Sequence, residues 1–226
     1  MRTPTPSPGG VPIPAFTQPS FQQQIDRLVA LGYPGLAGLG EDQFRHLLEP
    51  LRPVAEAIEG PASPSRVPFV VVVTRELVAT EATVPLLRLS GPRGPGANPG
   101  RVDRNHGEGE LAGYHPVEGC EPPGAAYLLV DIERGEEFCN VRPEDATRTI
   151  RGRGRTPLTI DEGIALVTQV PQVLEKNRCF MLAGSRRHDR RVPALWISER
   201  APKLGWCWDG NPHTWLGTAS AGARRG

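Results

Sequence analysis

Arg66-Val-Pro-Phe-Val-Val-Val-Val-Thr-Arg75 is the run around which the rest of the chain is read. Its apolar residues are continuous from Phe69 to Val73 and do not alternate with polar ones. A strand with one wet face alternates at period two, whereas an unbroken β-branched run needs apolar neighbours on both faces. Pro68 has no N–H to give to a ladder, so it places the start of this strand at a sheet edge or a strand end. Five residues are far too few to span a bilayer.

Working outward, Ala126 to Asp131 (AYLLVD) reads as a second strand, with Phe138 to Val141 as its hairpin partner across the polar turn ERGEE. Leu86 to Leu89 reads as a short strand. Cys179 to Leu182, Val192 to Ser198 and Leu204 to Trp208 read as three more. Ahead of the first strand the period changes to that of helices. Ser20-Phe-Gln-Gln23 fits a capping box, and Phe21, Ile25, Leu28 and Val29 make one apolar face that Gly32 closes. A second helix runs from about Glu41, kinked or divided by Pro50 and Pro53, and a short one covers 53–59. Pro143-Glu144-Asp145 opens a further helix, ended by RGRGR at 151–155. Thr159-Ile-Asp-Glu162 is the clearest capping box, and Ile164, Val167 and Val170 mark the apolar face of the helix behind it.

These elements predict an α+β fold: one domain, with an N-terminal helical hairpin packed on an antiparallel or mixed sheet. Residues 1–19 and 217–226 read as disordered tails, and 20–216 as the single domain. Residues 90–124 form a long Gly/Pro-rich loop, expected to be a lid, an insertion or a disordered segment.

The chain of 226 residues carries 26 Gly and 25 Pro, and only 6% aromatic residues, so the core is thin for its length. Net charge is +1, which supplies no global attraction to nucleic acid or membrane. The charge is unevenly spread, with net −6 over residues 1–141 and net +7 over 142–226. This imbalance points to an anionic partner for the second half or to packing between the halves. No apolar leader precedes the first helix, and the four cysteines show no tight pairing. A cytoplasmic protein with free thiols is expected.

All four tryptophans fall between Trp196 and Trp215. Just upstream, SRRHDRR at 185–191 places Arg186, Arg187, Arg190 and Arg191 between two strands. Guanidinium forks at such a connection suit a carboxylate or phosphate; the alternative is a solvated tip of Arg–Asp pairs. On a strand, Trp206 and Trp208 share one face and Cys207 takes the other. His213 sits on a turn after Asn211-Pro212. Catalysis by Cys207 with His213 and Asp189 is a weak candidate beside an inert buried thiol. Cys179, Cys207, His188 and His213 lack the close spacings of structural zinc, so no metal or other cofactor is expected.

Over TIDEGIALVTQVPQVLEKNRCF (159–180), GSRRHDRRVPALWIS (184–198) and PKLGWCWDGNPHTWLG (202–217), the chain resembles an actinobacterial family of uncharacterised proteins, a domain of unknown function. The resemblance runs from about Phe21 to Gly217 and implies a bacterial cytosolic protein. It supplies no catalytic residues. The residues themselves point to an anionic, partly aromatic small molecule bound by Arg186, Arg187, Arg190, Arg191, Trp206, Trp208 and His213. The alternatives are a Trp/Arg surface for a protein partner and, disfavoured by the overall charge, weak nucleic-acid binding through the Arg-rich segments. No motif names a reaction, and none sets an oligomeric state.

Overall fold

The computed structural model describes residues 16–90 and 98–226. Among them are the helices α1 (Phe21–Ala30), α2 (Tyr33–Leu36), α3 (Glu41–Leu48), α4 (Arg52–Glu56), α5 (Thr80–Thr83), α6 (Pro143–Gly152) and α7 (Ile160–Gln169). The strands are β1 (Arg66–Val73), β2 (Arg101–Val102), β3 (His115–Pro116), β4 (Ala126–Glu133), β5 (Thr156–Pro157), β6 (Cys179–Met181), β7 (Ser185–Arg186), β8 (Arg191–Ser198), β9 (Ala201–Trp208), β10 (Leu216–Thr218) and β11 (Ser220–Arg225).

The continuous apolar run of β1 is explained by what lies on either side of it. Phe69, Val71 and Val73 pack with Phe21, Ile25 and Leu28 of α1 and with Phe44 and Leu48 of α3. Val70 and Val72 face the other way, into a cluster with Ile164, Leu166 and Val167 of α7. As Pro68 implies, β1 is the edge of its sheet, whose order is β1-β4-β11-β5 with every pairing antiparallel. The open edge is closed by carboxamides. Gln24 Oε1 accepts from Val71 N at 2.8 Å, and Gln18 Nε2 donates to Phe69 O at 2.7 Å. An uncovered edge would leave backbone groups free to pair with another chain.

α7 is buried on nearly every side, with only Asp161 left out of its buried set. A helix apolar all round must lie inside, and α7 is in contact with both β1 and β8. The layers therefore run from α1–α4 through the first sheet and α7 to a second sheet of order β10-β6-β8-β9-β2. That second sheet is mixed: its outer pairs are parallel and its central ones antiparallel. The two sheets meet at Ala219, whose N–H donates to Met181 O while its carbonyl accepts from Leu158 N.

Both expected capping boxes are formed. Ser20 Oγ accepts from Gln23 N, and Gln23 Oε1 accepts from Ser20 N at 2.8 Å. Thr159 and Glu162 do the same for α7. Three readings are corrected. Leu86–Leu89 is no strand, because α5 runs on through Pro85 into a 3₁₀ turn at Val84–Leu86. Phe138–Val141 does not pair with β4, whose two edges are already taken by β1 and β11; Gly135 (φ +77°) leads into a 3₁₀ turn there instead. Residues 217–226 are no tail: Leu216–Thr218 and Ser220–Arg225 are strands, the second paired on both sides. Within 90–124, the described residues form β2, a 3₁₀ turn at Glu110–Gly113 and β3; residues 91–97 of that loop, like 1–15 of the expected N-terminal tail, lie outside the described residues.

Candidate functional site

The register of β8 against β9 pairs Arg191 with Trp208, Pro193 with Trp206, Val192 with Cys207 and Trp196 with Lys203. Directly opposed residues in an antiparallel pair point to the same side. Arg191, Trp206 and Trp208 therefore share one face, while Trp196, Val192 and Cys207 share the other. The tryptophans divide into two pairs accordingly. Trp206 and Trp208 meet edge to face with centroids 4.9 Å apart, and Trp196 meets Trp215 at 6.2 Å. The Trp196 ring lies so close over Gly205 that any side chain there would collide with it.

On the first face, the Arg191 guanidinium lies 4.5 Å from the Trp206 ring centroid, a cation–π arrangement. Trp206 Nε1 donates to Asn105 O at 3.2 Å. Trp208 remains 46% exposed, the most open large apolar side chain among the described residues. Arg187 and Arg191 converge on one atom, Glu110 Oε2, at 3.0 and 2.8 Å. Asp189 lies 3.7 Å from Arg187 and 3.4 Å from Arg191. Arg186 pairs with Asp209 at 3.1 Å, and the exposed Arg190 with Glu144 at 3.6 Å. Each of the four arginines thus meets a carboxylate of its own chain. Behind them lies buried Tyr114, with Arg187 over its ring at 5.6 Å and His106 against it edge to face at 5.8 Å. Burial lowers the pKa of His106, favouring the neutral imidazole, and pushes Tyr114 up to about 12. Tyr114 Oη and Arg186 Nη1 are shielded from water and close no hydrogen bond within the chain, while Arg187 Nη1 and Arg191 Nε, also shielded, meet Glu110 and Asp189 as ion pairs without hydrogen-bond geometry.

The weak catalytic set is not assembled. Asp189 stays with the arginines, whereas Cys207 points to the opposite face and donates its thiol proton toward Met181 Sδ at 3.2 Å. His213 packs on Trp215 at 5.7 Å, and its carbonyl accepts from Asn140 N. His213 therefore belongs with Trp215, not with Trp206 and Trp208. Glu110, Tyr114 and His106 were not foreseen. They come from the aperiodic 90–124 loop, and no spacing in the sequence links them to 186–208. Among the described residues no group of acidic, Cys or His side chains is arranged to hold a metal ion.

A consequence of the buried thiols is measurable. Burial raises Cys207 from an ordinary 9.0 to about 12 and Cys120 to about 11. The unfolded chain releases these protons from about pH 9, while the native chain holds them until pH 11 or beyond. In that interval the unfolded state binds fewer protons, so stability falls as pH rises. The melting temperature should drop between pH 9 and 11, and an aromatic disulfide reagent should leave both thiols unmodified in the native protein at pH 8. Rapid labelling of Cys207 under native conditions would contradict its placement.

A model of the family of unknown function DUF5701 matches residues 27–226. The chain belongs to this family. The match takes in both sheets, α7 and the whole Arg/Trp face, and it reaches through β11, so the last strand is part of the family's domain. No curated protein and no solved structure matches the chain. No described helix is long and apolar enough to cross a membrane.

Proposed function

We propose that the face formed by β7, β8 and β9 in this DUF5701 protein binds a small anionic ligand with a planar or aromatic part. The observation that carries this reading is the convergence of Arg187 and Arg191 on one carboxylate oxygen, beside Trp206, which already stacks a guanidinium. Two cations meeting on one oxygen is the geometry that recognises carboxylate or phosphate. Glu110 fills that position within the chain. Tyr114 Oη and Arg186 Nη1 are donors that an incoming oxyanion would satisfy. His213, placed with Trp215, is left out of this version of the site. A cytoplasmic setting is part of the proposal, supported by four free cysteines.

The test is a thermal-shift screen of phosphorylated and carboxylated aromatic metabolites, followed by calorimetry on any hit. A specific ligand raises the melting temperature by linkage. Arg187→Ala and Arg191→Ala should each weaken binding about tenfold or more, the size expected for a lost charge-assisted hydrogen bond. If no anion shifts the melt, or if both variants bind as the parent does, the reading fails. The exposure of Trp208 favours a second reading, a hot spot for a protein partner. In that case Trp208→Ala would weaken the complex with the partner while small anions have no effect.

A further inference from the structure

α1 and the C-terminal end of α7 border a cleft of about 420 Å³ whose lining includes Gln18, Gln23, Asp26, Arg27, Gln169 and Gln172. That volume suits a small ligand. It lies past the open edge of β1, where α1 and α7 come near each other from the two sides of the sheet, and its chemistry is polar, with four carboxamides, one carboxylate and one guanidinium.

Arg27 is the informative residue. Three other partly buried arginines that tie distant segments together each meet an acid: Arg75 meets Asp161, Arg155 meets Asp131, and Arg224 meets Glu162. Arg27 is half-buried, yet its contacts are to backbone carbonyls only, Thr168 O at 3.2 Å and Gln169 O at 2.5 Å, both through Nη1. No carboxylate of the described residues pairs with it. Its neighbour Asp26 is engaged by Arg45 at 2.7 Å. The C-terminal carbonyls of α7 offer Arg27 partial negative charge, but no full counter-charge balances the half-buried guanidinium, which an anion would complete.

The carboxamides carry the complementary need. Gln18 spends its N–H groups on Phe69 O and Pro19 O, and Gln169 donates to Gln24 O. Both leave Oε1 shielded from water without a donor. Unfilled buried acceptors call for a donor from outside the chain, a water or a ligand N–H. The cleft therefore lacks an anion at one point and N–H donors at two others. We propose that it binds a free amino acid, with the ligand's carboxylate on Arg27 and its ammonium on the carboxamide oxygens of Gln18 and Gln169.

The experiment is calorimetric titration of the full chain with the common amino acids, with acetate and methylammonium as half-ligands. At least one amino acid should bind, and neither half-ligand should bind comparably. Arg27→Gln should weaken binding about tenfold or more. Because that change also loosens the tie to α7, Gln172→Trp serves as the second variant. It fills the cleft from an exposed lining position and should abolish binding with the melting temperature unchanged. No binding at millimolar concentration, equal binding of acetate, or binding indifferent to both variants would overturn the proposal.

Discussion

A chain ending at Leu216 is expected to lose cooperative folding altogether. The ten residues removed look dispensable in sequence, yet they supply β11, which lies between β4 and β5. Without it β5 has no neighbour, and the edge of β4 from Leu128 to Glu133 loses its partner. Ala219, which bonds Met181 of one sheet and Leu158 of the other, goes too. So does Ser220 Oγ, which accepts from Arg155, and the Arg224 partner of buried Glu162. A buried charge left alone costs about 3–5 kcal/mol, and a central strand adds its ladder and apolar contacts to that loss. The total stability of a domain is about 5–15 kcal/mol. Circular dichroism should show no sharp thermal transition and little near-ultraviolet signal. A truncated chain that melts sharply near the parental temperature would refute the central role of this strand.

The second large effect is expected at Arg224 alone. Its guanidinium donates to Glu162 Oε1 at 2.6 Å and Oε2 at 2.9 Å, and to Thr156 Oγ1 at 2.7 Å. Glu162 is buried and works on two fronts: it caps α7 through Thr159 N, and it accepts from the buried Tyr127 hydroxyl at 2.8 Å. Arg224→Met keeps the apolar stem and removes the charge, leaving the carboxylate without its cation. Urea denaturation should show a loss of about 3–5 kcal/mol. Adding Glu162→Gln should recover much of it, since glutamine keeps the capping geometry and carries no charge to desolvate. If the single variant loses less than about 1 kcal/mol, the pair is peripheral to stability. If the double variant is no better than the single, uncompensated charge is not the cause.

Both expected effects arise from contacts between residues far apart in sequence, whereas other features of the fold are local. The run Phe69–Val73 reported its own double-sided burial because continuous β-branched residues have no other stable setting. Both capping boxes were legible because a cap is a contact between residues three apart. The shared face of Trp206 and Trp208 followed from strand alternation, and so did the opposite placement of Cys207. SAGARR at 220–225 has no apolar alternation, so it read as a tail. It is a strand because two strands distant in sequence leave a gap that its small side chains fit. The arginine run was visible, but its partners were not. Glu110 and Tyr114 reach it from a loop about 75 residues upstream that has no period of its own.

By itself, then, the sequence determined the fold class, the helical hairpin, the buried strand and the address of the Arg/Trp face. Only the tertiary structure decided that the four arginines of that face are charge-balanced within the chain, that His213 belongs to the other tryptophan pair, and that no carboxylate of the described residues pairs with Arg27. The reason is physical. Periodicity and capping are interactions between near neighbours and leave a pattern in the chain. The neutralisation of a charge and the filling of a sheet depend on residues far apart in sequence, whose meeting leaves no such pattern.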